Sequence, residues 1–317
     1  MSSTRTKALA LIALIIIIFS LVIKNWREYQ TTISKPIPLS ANESLEIDPN
    51  ILIEDEVVIT SAMPKSVVQT KPLISAEAYL VGNLETGEIY TQHNQSKVFP
   101  IASISKLFSA LVAINLMPQD QKITINQQML DAYGDAGQLI LGEIFTVAEL
   151  LQPLLVESSN DAAEALAQSS GYDIFIGKMN SFAKELGMQS TSFKDSSGLN
   201  PGNISNANDL FILSRYLYLN ERRILEISRQ VRVEIASSTG HSTKALVSNN
   251  PFPGDPNFIG GKTGRTDEAR ESMVSMFNYR VGDKVHPIVI IVLRSDFSVR
   301  EVDTSILFEQ AMTKIGR

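Results

Sequence analysis

A run of 16 residues near the start of the chain, residues 8–23, is apolar apart from one serine and is unlike anything that follows it. As a helix rising 1.5 Å per residue, the run would extend about 24 Å, slightly less than the hydrocarbon core of a bilayer. Lys7 and Lys24 bracket the run and Trp26 follows it, and such side chains extend a short span to the membrane interface. We therefore predict an N-terminal membrane anchor over residues 1–24.

A cleaved signal peptide is the alternative to an anchor, because it has the same basic start and apolar centre. Signal peptides end in small residues at the cleavage site, whereas this run ends in Leu21-Val22-Ile23-Lys24-Asn25. The sequence therefore favours a segment that stays attached. Basic residues flank the run on both sides, so their distribution does not decide the orientation of the anchor.

Residues 25–73 are rich in proline and poor in aromatic side chains, which is typical of a linker, and a short strand could form at residues 56–60. The remaining residues, 74–317, have the length of a single enzyme domain. The sequence therefore predicts three parts: an anchor, a linker and one folded domain.

Composition excludes several classes of function. A net charge of −6 argues against a nucleic-acid-binding protein. The chain has no cysteine, which excludes disulfides, thiolate nucleophiles and iron–sulfur clusters. The three histidines, His93, His241 and His286, are not spaced as metal ligands and are predicted to be surface residues, and no glycine-rich phosphate loop is present. We therefore predict neither a metal nor a cofactor.

The remaining domain has strand patterns at its ends and helical patterns between them. Residues 76–84 and 88–93 alternate around Glu85-Thr86-Gly87 and predict an antiparallel hairpin, and residues 271–279 and 287–294 predict two more strands around a turn at Gly282-Asp283. Helical spacing covers residues 103–117, 146–156, 161–167, 172–186, 207–219 and 305–315. The pattern predicts an α+β fold, with an antiparallel sheet formed from both ends of the domain and a helical insert.

A serine and a lysine three residues apart, Ser103 and Lys106, begin the first predicted helix. This spacing puts both side chains on one face, so that the amine can reach the hydroxyl. The same spacing recurs at Ser181 and Lys184, inside a predicted amphipathic helix, where we interpret both as part of a solvated face. Pro100 precedes only the first pair, at a helix entry, and this context makes Ser103 a candidate nucleophile, although the local pattern alone does not decide between a catalytic and a structural role.

Two later segments bring further polar side chains. Ser158-Ser159-Asn160 lies between two predicted helices, where Asn160 could also be a simple N-cap. Lys262-Thr263-Gly264 leads into the last predicted strands and could be a simple turn, but it can also project an ammonium and a hydroxyl from a sheet edge. The three segments follow one another at separations of 55 and 104 residues, an order that is hard to obtain by chance.

With these motifs the chain resembles the serine-type D-alanyl-D-alanine carboxypeptidases, the low-molecular-mass penicillin-binding proteins. The resemblance covers about residues 76–316 and includes the segments around Phe99-Pro-Ile-Ala-Ser-Ile-Ser-Lys-Leu, Glu157-Ser-Ser-Asn-Asp-Ala-Ala and Gly261-Lys-Thr-Gly-Arg-Thr-Asp-Glu-Ala. It implies a β-lactamase/transpeptidase-like fold, an antiparallel sheet with helices on both faces and a helical subdomain. It also implies removal of the terminal D-alanine from peptidoglycan stem peptides, and β-lactam antibiotics as inhibitors.

The resemblance assigns a role to each matching residue. Ser103 would form the acyl-enzyme, Lys106 would be its general base, Ser158 would relay a proton to the leaving D-alanine and Asn160 would bind the peptide stem. Burial beside a second cation such as Lys262 would lower the pKa of Lys106.

The substrate-binding residues come from the same comparison. The backbone N–H groups of Ser103 and Arg265 would form the oxyanion hole, following Gly264. Lys262 and Thr263 would hold the terminal carboxylate of the substrate. Arg300 matches an arginine that approaches this carboxylate in the family, although at the start of a helix it could also be a surface charge.

Three departures from the family pattern stand out. Arg270 occupies a position where the family usually has glycine, which could alter the shape of the substrate site. The chain ends one helix after its last strand, which leaves no room for the C-terminal β-domain and anchor of many relatives. Ser196 stands where a class A β-lactamase would need a glutamate, so we expect slow release of penicillins.

The resemblance leaves three functions open. The first is a DD-carboxypeptidase, the second a DD-endopeptidase that cleaves peptidoglycan cross-links, and the third a penicillin-binding but non-catalytic wall-sensing protein. The polar residues of all three motifs are present, which argues against the last. The wall substrate, and not the charge pattern, leads us to predict a single-pass membrane protein whose linker and catalytic domain are extracytoplasmic.

Overall fold

The structure is a computed structural model that describes residues 74–133, 138–238 and 243–316. The strands in these residues are β1 (Ala78–Asn83), β2 (Ile89–His93), β3 (Phe99–Pro100), β4 (Lys122–Thr124), β5 (Ile144–Thr146), β6 (Ile204–Ser205), β7 (Arg232–Ala236), β8 (Thr243–Val247), β9 (Phe258–Thr266), β10 (Arg270–Val281) and β11 (Lys284–Ser295). The helices are α1 (Ser105–Leu116), α2 (Gln127–Leu130), α3 (Val147–Val156), α4 (Asn160–Ser169), α5 (Tyr172–Glu185), α6 (Ala207–Asn220), α7 (Arg222–Ser228) and α8 (Arg300–Ile315), and a 3₁₀ turn at Ala102–Ile104 precedes α1.

The two ends of the described chain meet in one antiparallel sheet, whose strands run in the order β2-β1-β11-β10-β9. Ala78 pairs with Leu293 and Asn83 pairs with Ile288, so the first strand adds directly to the last. The hairpin of β10 and β11 closes around Gly282, which has a positive φ of 58° that suits glycine in a tight turn. The order leaves β9 at the edge of the sheet.

Helices cover both faces of this sheet. Alternate residues of β11 enter two separate cores: Ile288, Ile290 and Val292 pack on the side of α8, whereas Val289 and Ile291 pack on the side of α6 and the helical subdomain. Successive side chains of a strand point to opposite faces, so a strand buried on both faces becomes an almost continuous apolar run. This explains the composition of β11.

The helical subdomain is built from α1, α3, α4 and α5, and its helix starts are set by local capping. Thr146 accepts a hydrogen bond from the N–H of Glu149, whose carboxylate accepts from the N–H of Thr146 in return. The next helix, α4, begins after Ser159, whose Oγ accepts from the N–H of Ala162 at 3.1 Å. The N-cap of this helix is therefore Ser159, and the alternative of a simple cap by Asn160 is wrong.

The predicted fold class is confirmed: the domain is α+β, with an antiparallel sheet between helical layers. Both predicted hairpins and all six predicted helices are present, with shifted ends. The main differences are that α8 begins at Arg300 and not at Ser305, and that β9 is a full strand where the sequence suggested only a sheet edge. The helix α7 and the small hairpin of β7 and β8 had no clear sequence signal.

Several predictions concern residues outside the described ranges. These are the anchor at residues 1–24, the linker at residues 25–73 with its short strand, and the surface position of His241. No helix in the described parts of the chain is both long enough and apolar enough to cross a membrane.

Candidate active site

Ser103 lies on the 3₁₀ turn between β3 and α1, near the point where the subdomain meets the sheet. The turn is fixed on both sides, because the N–H of Ile101 donates to the carbonyl of Asn203 at 3.0 Å and Ser105 Oγ donates to the carbonyl of Ala102 at 2.8 Å. Ala102 has a φ of 47°, in the left-handed region. The helix thus begins two residues later than predicted, and Ser103 stands just before its positive N-terminal end.

Lys106 is fully buried and its amine is surrounded by three oxygen atoms. Nζ lies 2.8 Å from Ser103 Oγ, 2.7 Å from Asn160 Oδ1 and 2.8 Å from the carbonyl of Ser197. Burial lowers the pKa of Lys106 to about 7, because desolvation disfavours the ammonium, while the carboxylate of Asp195 opposes this shift. A large fraction of this amine is therefore neutral near pH 7.

Ser158 lies on the turn between α3 and α4, as predicted, whereas Asn160 is already the first residue of α4. Asn160 links this turn to two others: its Oδ1 accepts from Lys106, and its Nδ2 donates to the carbonyl of Tyr133 at 2.5 Å. Ser158 has a φ of 66°, a left-handed conformation that costs a non-glycine residue free energy. Within the described residues, Lys106 forms a hydrogen bond with Asn160 but not with Ser158.

The Lys-Thr-Gly motif lies within β9, and this strand runs beside the turn that carries Ser103. Gly264 makes the approach possible, because a Cβ at this position would come within 2.6 Å of the carbonyl oxygen of Ile101 and 3.3 Å of the nitrogen of Ser103. The main chain of β9 from Gly264 onward therefore lies against the backbone of the serine turn. The strand that carries Arg265 and the backbone nitrogen of Ser103 are therefore close neighbours.

Lys262 is also buried, and its Nζ donates to the carbonyl of Thr263 at 3.0 Å. Its pKa is held well below the usual lysine value, first by burial and then by the charges of Lys106 and Arg300. The pKa of Lys106 follows from burial. The repulsion between the two amines thus contributes to the lowered pKa of Lys262, and the expected effect of Lys262 on the pKa of Lys106 stays a prediction. Thr263 Oγ1 lies 3.4 Å from Asn249 Oδ1.

Arg300 begins α8, yet its side chain is only 14% exposed, which contradicts the alternative of a simple surface charge. Its Nη1 donates to the carbonyl of Gly264 at 3.4 Å, on the Lys-Thr-Gly strand. Arg265 differs: its side chain is 65% exposed and its guanidinium lies 5.2 Å above the ring of Phe297. The guanidinium of Arg300 therefore lies against the Lys-Thr-Gly strand, whereas the side chain of Arg265 faces solvent.

The second Ser-x-x-Lys pair is far less constrained than the first. Ser181 Oγ donates to the carbonyl of Lys178 one turn earlier in α5, and Lys184 is exposed. These contacts fit the predicted solvated face. Ser103 and Ser181 thus share a motif but not an environment.

The segment from Asp195 to Gly198, which is part of the family resemblance but had no role predicted from the sequence, completes the pocket of Lys106. Asp195 accepts from the N–H groups of Ser197, Gly198 and Asn200, and this turn presents the carbonyl of Ser197 to Lys106. A backbone carbonyl leaves no motif in a sequence. The aspartate followed by glycine three residues later was the available turn signal.

Two of the three departures from the family pattern, Ser196 and Arg270, have clear places in the structure. Ser196 is fully buried and its Oγ donates to Glu164 Oε1 at 2.9 Å. Arg270 has a φ of 49°, the left-handed conformation that favours the glycine usual at this position, and its Nη1 forms an ion pair with Asp296 at 2.8 Å. Arg270 therefore keeps a backbone suited to glycine and directs its side chain towards Asp296.

A cavity of about 480 Å³ adjoins the site on the Asn160 side. Its lining includes Tyr133, Glu164 of α4, and Asp195 and Ser197 from the turn that presents a carbonyl to Lys106.

Comparison with known proteins shows which family the sequence resembles. The model of the D-alanyl-D-alanine carboxypeptidase family, peptidase S11, matches residues 65–293. The D-alanyl-D-alanine endopeptidase of Haemophilus influenzae is 33% identical over 213 residues, which are 65% of this chain and 71% of that protein. The D-alanyl-D-alanine carboxypeptidase DacB2 of Mycobacterium tuberculosis is 31% identical over 205 residues, 63% of this chain and 69% of that protein.

A solved structure has the same fold as this chain. Penicillin-binding protein D2 from Listeria monocytogenes, in its cefotaxime-bound form, superimposes with a TM-score of 0.66 and 32% sequence identity. The match covers 76% of this chain and 98% of that structure. The shared region therefore includes nearly the whole of that protein's structure.

Proposed function

Because the chain belongs to the D-alanyl-D-alanine carboxypeptidase family, we propose that it removes the terminal D-alanine from peptidoglycan stem peptides through an acyl-enzyme on Ser103. The contact between Lys106 Nζ and Ser103 Oγ carries this proposal. An amine with a pKa of about 7, at 2.8 Å from a hydroxyl, is matched to the work of a general base at neutral pH.

Acylation then follows from the arrangement of the two side chains. The neutral amine of Lys106 takes the proton of Ser103 while Oγ attacks the carbonyl carbon of the penultimate D-alanine. The tetrahedral intermediate collapses as the bond to the terminal D-alanine breaks, and Ser158 passes a proton from Lys106 to the departing amine. Water hydrolyses the resulting ester, which releases the shortened peptide and restores Ser103.

The negative charge that develops on the carbonyl oxygen needs donors that are in place before the reaction. We assign this role to the backbone N–H groups of Ser103 and Arg265. The close approach at Gly264 supports the assignment, because it brings the strand against the serine turn.

Recognition of the substrate would use both sides of the cleft. The terminal carboxylate of the peptide would bind between Lys262, Thr263 and Arg300, whose donor groups lie on or beside β9. The amide of Asn160 would bind a carbonyl of the peptide, for which its Nδ2 must exchange the carbonyl of Tyr133 for that of the substrate.

A DD-endopeptidase is the second candidate, because the Haemophilus influenzae relative bears this name. In a cross-link, the residue on the leaving side of the D-alanyl bond also carries a carboxylate, so the same cleft could accept it. A non-catalytic, penicillin-binding wall sensor is a weaker candidate, since the polar residues of all three motifs are present.

The location of the enzyme forms part of the same proposal. A peptidase of the cell wall acts outside the cytoplasm, and residues 1–24 would hold the domain on the outer side of the cell membrane through the linker of residues 25–73. The supporting observation is the apolar run at residues 8–23 with its flanking lysines. Cell fractionation of the full chain and of a variant lacking residues 1–24 tests the anchor: only the full chain should remain with the membranes.

The central experiment uses the full chain in detergent with a pentapeptide ending in D-alanyl-D-alanine and, separately, with a cross-linked peptide dimer. Free D-alanine from the pentapeptide supports the carboxypeptidase, whereas cleavage of the dimer alone supports the endopeptidase. Ser103→Ala should abolish turnover and labelling by a fluorescent penicillin, and Ser181→Ala should preserve both. Equal labelling of Ser103→Ala and the unmodified chain would contradict the assigned nucleophile.

A further inference from the structure

A buried carboxylate beside the proposed carboxylate site has no role in the mechanism so far. Glu271 follows the start of β10 and pairs across the sheet with Arg265. Its side chain is only 5% exposed. A buried acid is costly unless its oxygens are paired, so the contacts of Glu271 indicate what it stabilises.

The two oxygens of Glu271 have different partners. Oε2 accepts a hydrogen bond from the N–H of Ser298 at 3.0 Å, and thereby fixes the turn before α8. Oε1 lies 3.8 Å from Nη1 of Arg300 and 3.8 Å from Nη1 of Arg265. One carboxylate thus connects β10, β9 and the start of α8.

Arg300 depends on this carboxylate more than Arg265 does. The Arg265 side chain is mostly in solvent and rests on Phe297. Arg300 is largely buried, its contact with the carbonyl of Gly264 is long at 3.4 Å, and within the described residues its Nε has no hydrogen-bond partner. A long arginine side chain with so few hydrogen bonds needs an opposite charge to hold its orientation.

The charges around this point do not balance without a ligand. Glu271 supplies one negative charge between two guanidinium groups, and the buried amine of Lys262 lies close enough for Arg300 to lower its pKa. A further carboxylate would offset the remaining positive charge and give Arg300 a second partner.

We propose that Glu271 is a positioning residue that orients Arg300 towards the terminal carboxylate of the substrate. The inference rests on the proposed function and adds a determinant of its selectivity for peptides with a free C-terminus. Glu271 does not touch the substrate, and acts through the guanidinium of Arg300.

The test compares two substrates on the full chain: an N-acylated peptide ending in D-alanyl-D-alanine, and the same peptide with its C-terminus amidated. Glu271→Gln keeps an acceptor for Ser298 but removes the charge. We expect kcat/KM for the free carboxylate to fall about tenfold, mainly through KM, with little change for the amide. The preference of the enzyme for the carboxylate should therefore fall by the same factor.

Glu271→Asp provides a graded comparison, because it keeps the charge on a side chain one methylene shorter. Its preference should lie between those of the unmodified chain and Glu271→Gln. Asp296→Asn is the matched control: it removes the exposed ion pair with Arg270 at the same end of the sheet and should leave the preference unchanged.

An equal loss on both substrates, or an unchanged preference in Glu271→Gln, would overturn the inference and leave Glu271 with a structural role. If Glu271→Gln does not fold, as judged by its circular dichroism, Glu271→Asp decides: a preference equal to that of the unmodified chain overturns the inference. Failure of the proposed function gives a different result, because the unmodified chain itself would then release no D-alanine.

Discussion

Gly264 lies so close to Ile101 that a Cβ at the glycine would come within 2.6 Å of the Ile101 carbonyl oxygen. Contacts of this length do not occur between real atoms of these types, so a side chain must push β9 away from the serine turn. The backbone of the turn cannot yield easily, because Ile101 and Ser105 fix it by hydrogen bonds. The third residue of the Lys-Thr-Gly motif is therefore explained by the distance between two elements of the site.

Gly264→Ala should slow acylation of Ser103 by about a hundredfold or more, because a shift of even 1 Å at an oxyanion donor costs this much. The second-order rate of labelling by a fluorescent penicillin measures the effect. Gly177→Ala is the control, since a Cβ at this position in α5 meets nothing within 4 Å and alanine favours the helix. A labelling rate in Gly264→Ala equal to that of the control would show that β9 tolerates the displacement.

The pH dependence of acylation should report the amine of Lys106. With a pKa of about 7, the amine loses its neutral form as the pH falls, so the rate should drop close to tenfold per pH unit well below pH 7 and level off above it. Labelling rates between about pH 5.5 and about pH 8.5 test this. A rate that is constant across this range would exclude Lys106 as the base in the free enzyme.

A buried ion pair that is not part of the candidate site should be important for the stability of the domain. Lys244 on β8 lies 3.1 Å from Glu143, and both side chains are about 95% buried. Lys244→Met would leave the carboxylate buried beside an apolar group, and should lower the free energy of unfolding by about 3–5 kcal/mol.

Arg232→Met supplies the comparison for this pair, because Arg232 and Glu234 are exposed and 3.7 Å apart. Its cost should stay below about 1 kcal/mol. Urea unfolding followed by circular dichroism measures both variants. Equal costs for the two substitutions would contradict a stabilising role of the buried pair.

The strands that were predicted correctly share a strong local signal. β10 and β11 have many β-branched and apolar residues and a glycine turn between them, and β11 is buried on both faces. β9 lacks such a signal, because it contains Gly260, Gly261 and Gly264, which weaken an isolated strand. These glycines reflect close approaches to α7, β10 and the serine turn, and such contacts exist only in the folded domain.

The residues of the candidate site also differ in whether the sequence alone predicts them. Ser103, Lys106 and Asn160 could be predicted because they are side chains in short motifs, and the structure brings these three together by hydrogen bonds. The carbonyl of Ser197 and the carboxylate of Glu271 could not be predicted. Their importance depends on distances between segments that are remote in the sequence.

Arg270 allows a direct test of its strained backbone. Its φ of 49° is costly for a residue with a Cβ, and its ion pair with Asp296 is partly exposed. Arg270→Ala removes the ion pair but keeps the strain, whereas Arg270→Gly removes both, so the glycine variant should be more stable than the alanine variant by about 1 kcal/mol.

The control is the same pair of substitutions at Arg280, which is exposed on β10 and does not have a positive φ. There the alanine variant should be the more stable one, since glycine weakens an ordinary strand. Thermal unfolding of the four variants tests the prediction, and an alanine variant at position 270 that is as stable as the glycine variant would contradict it.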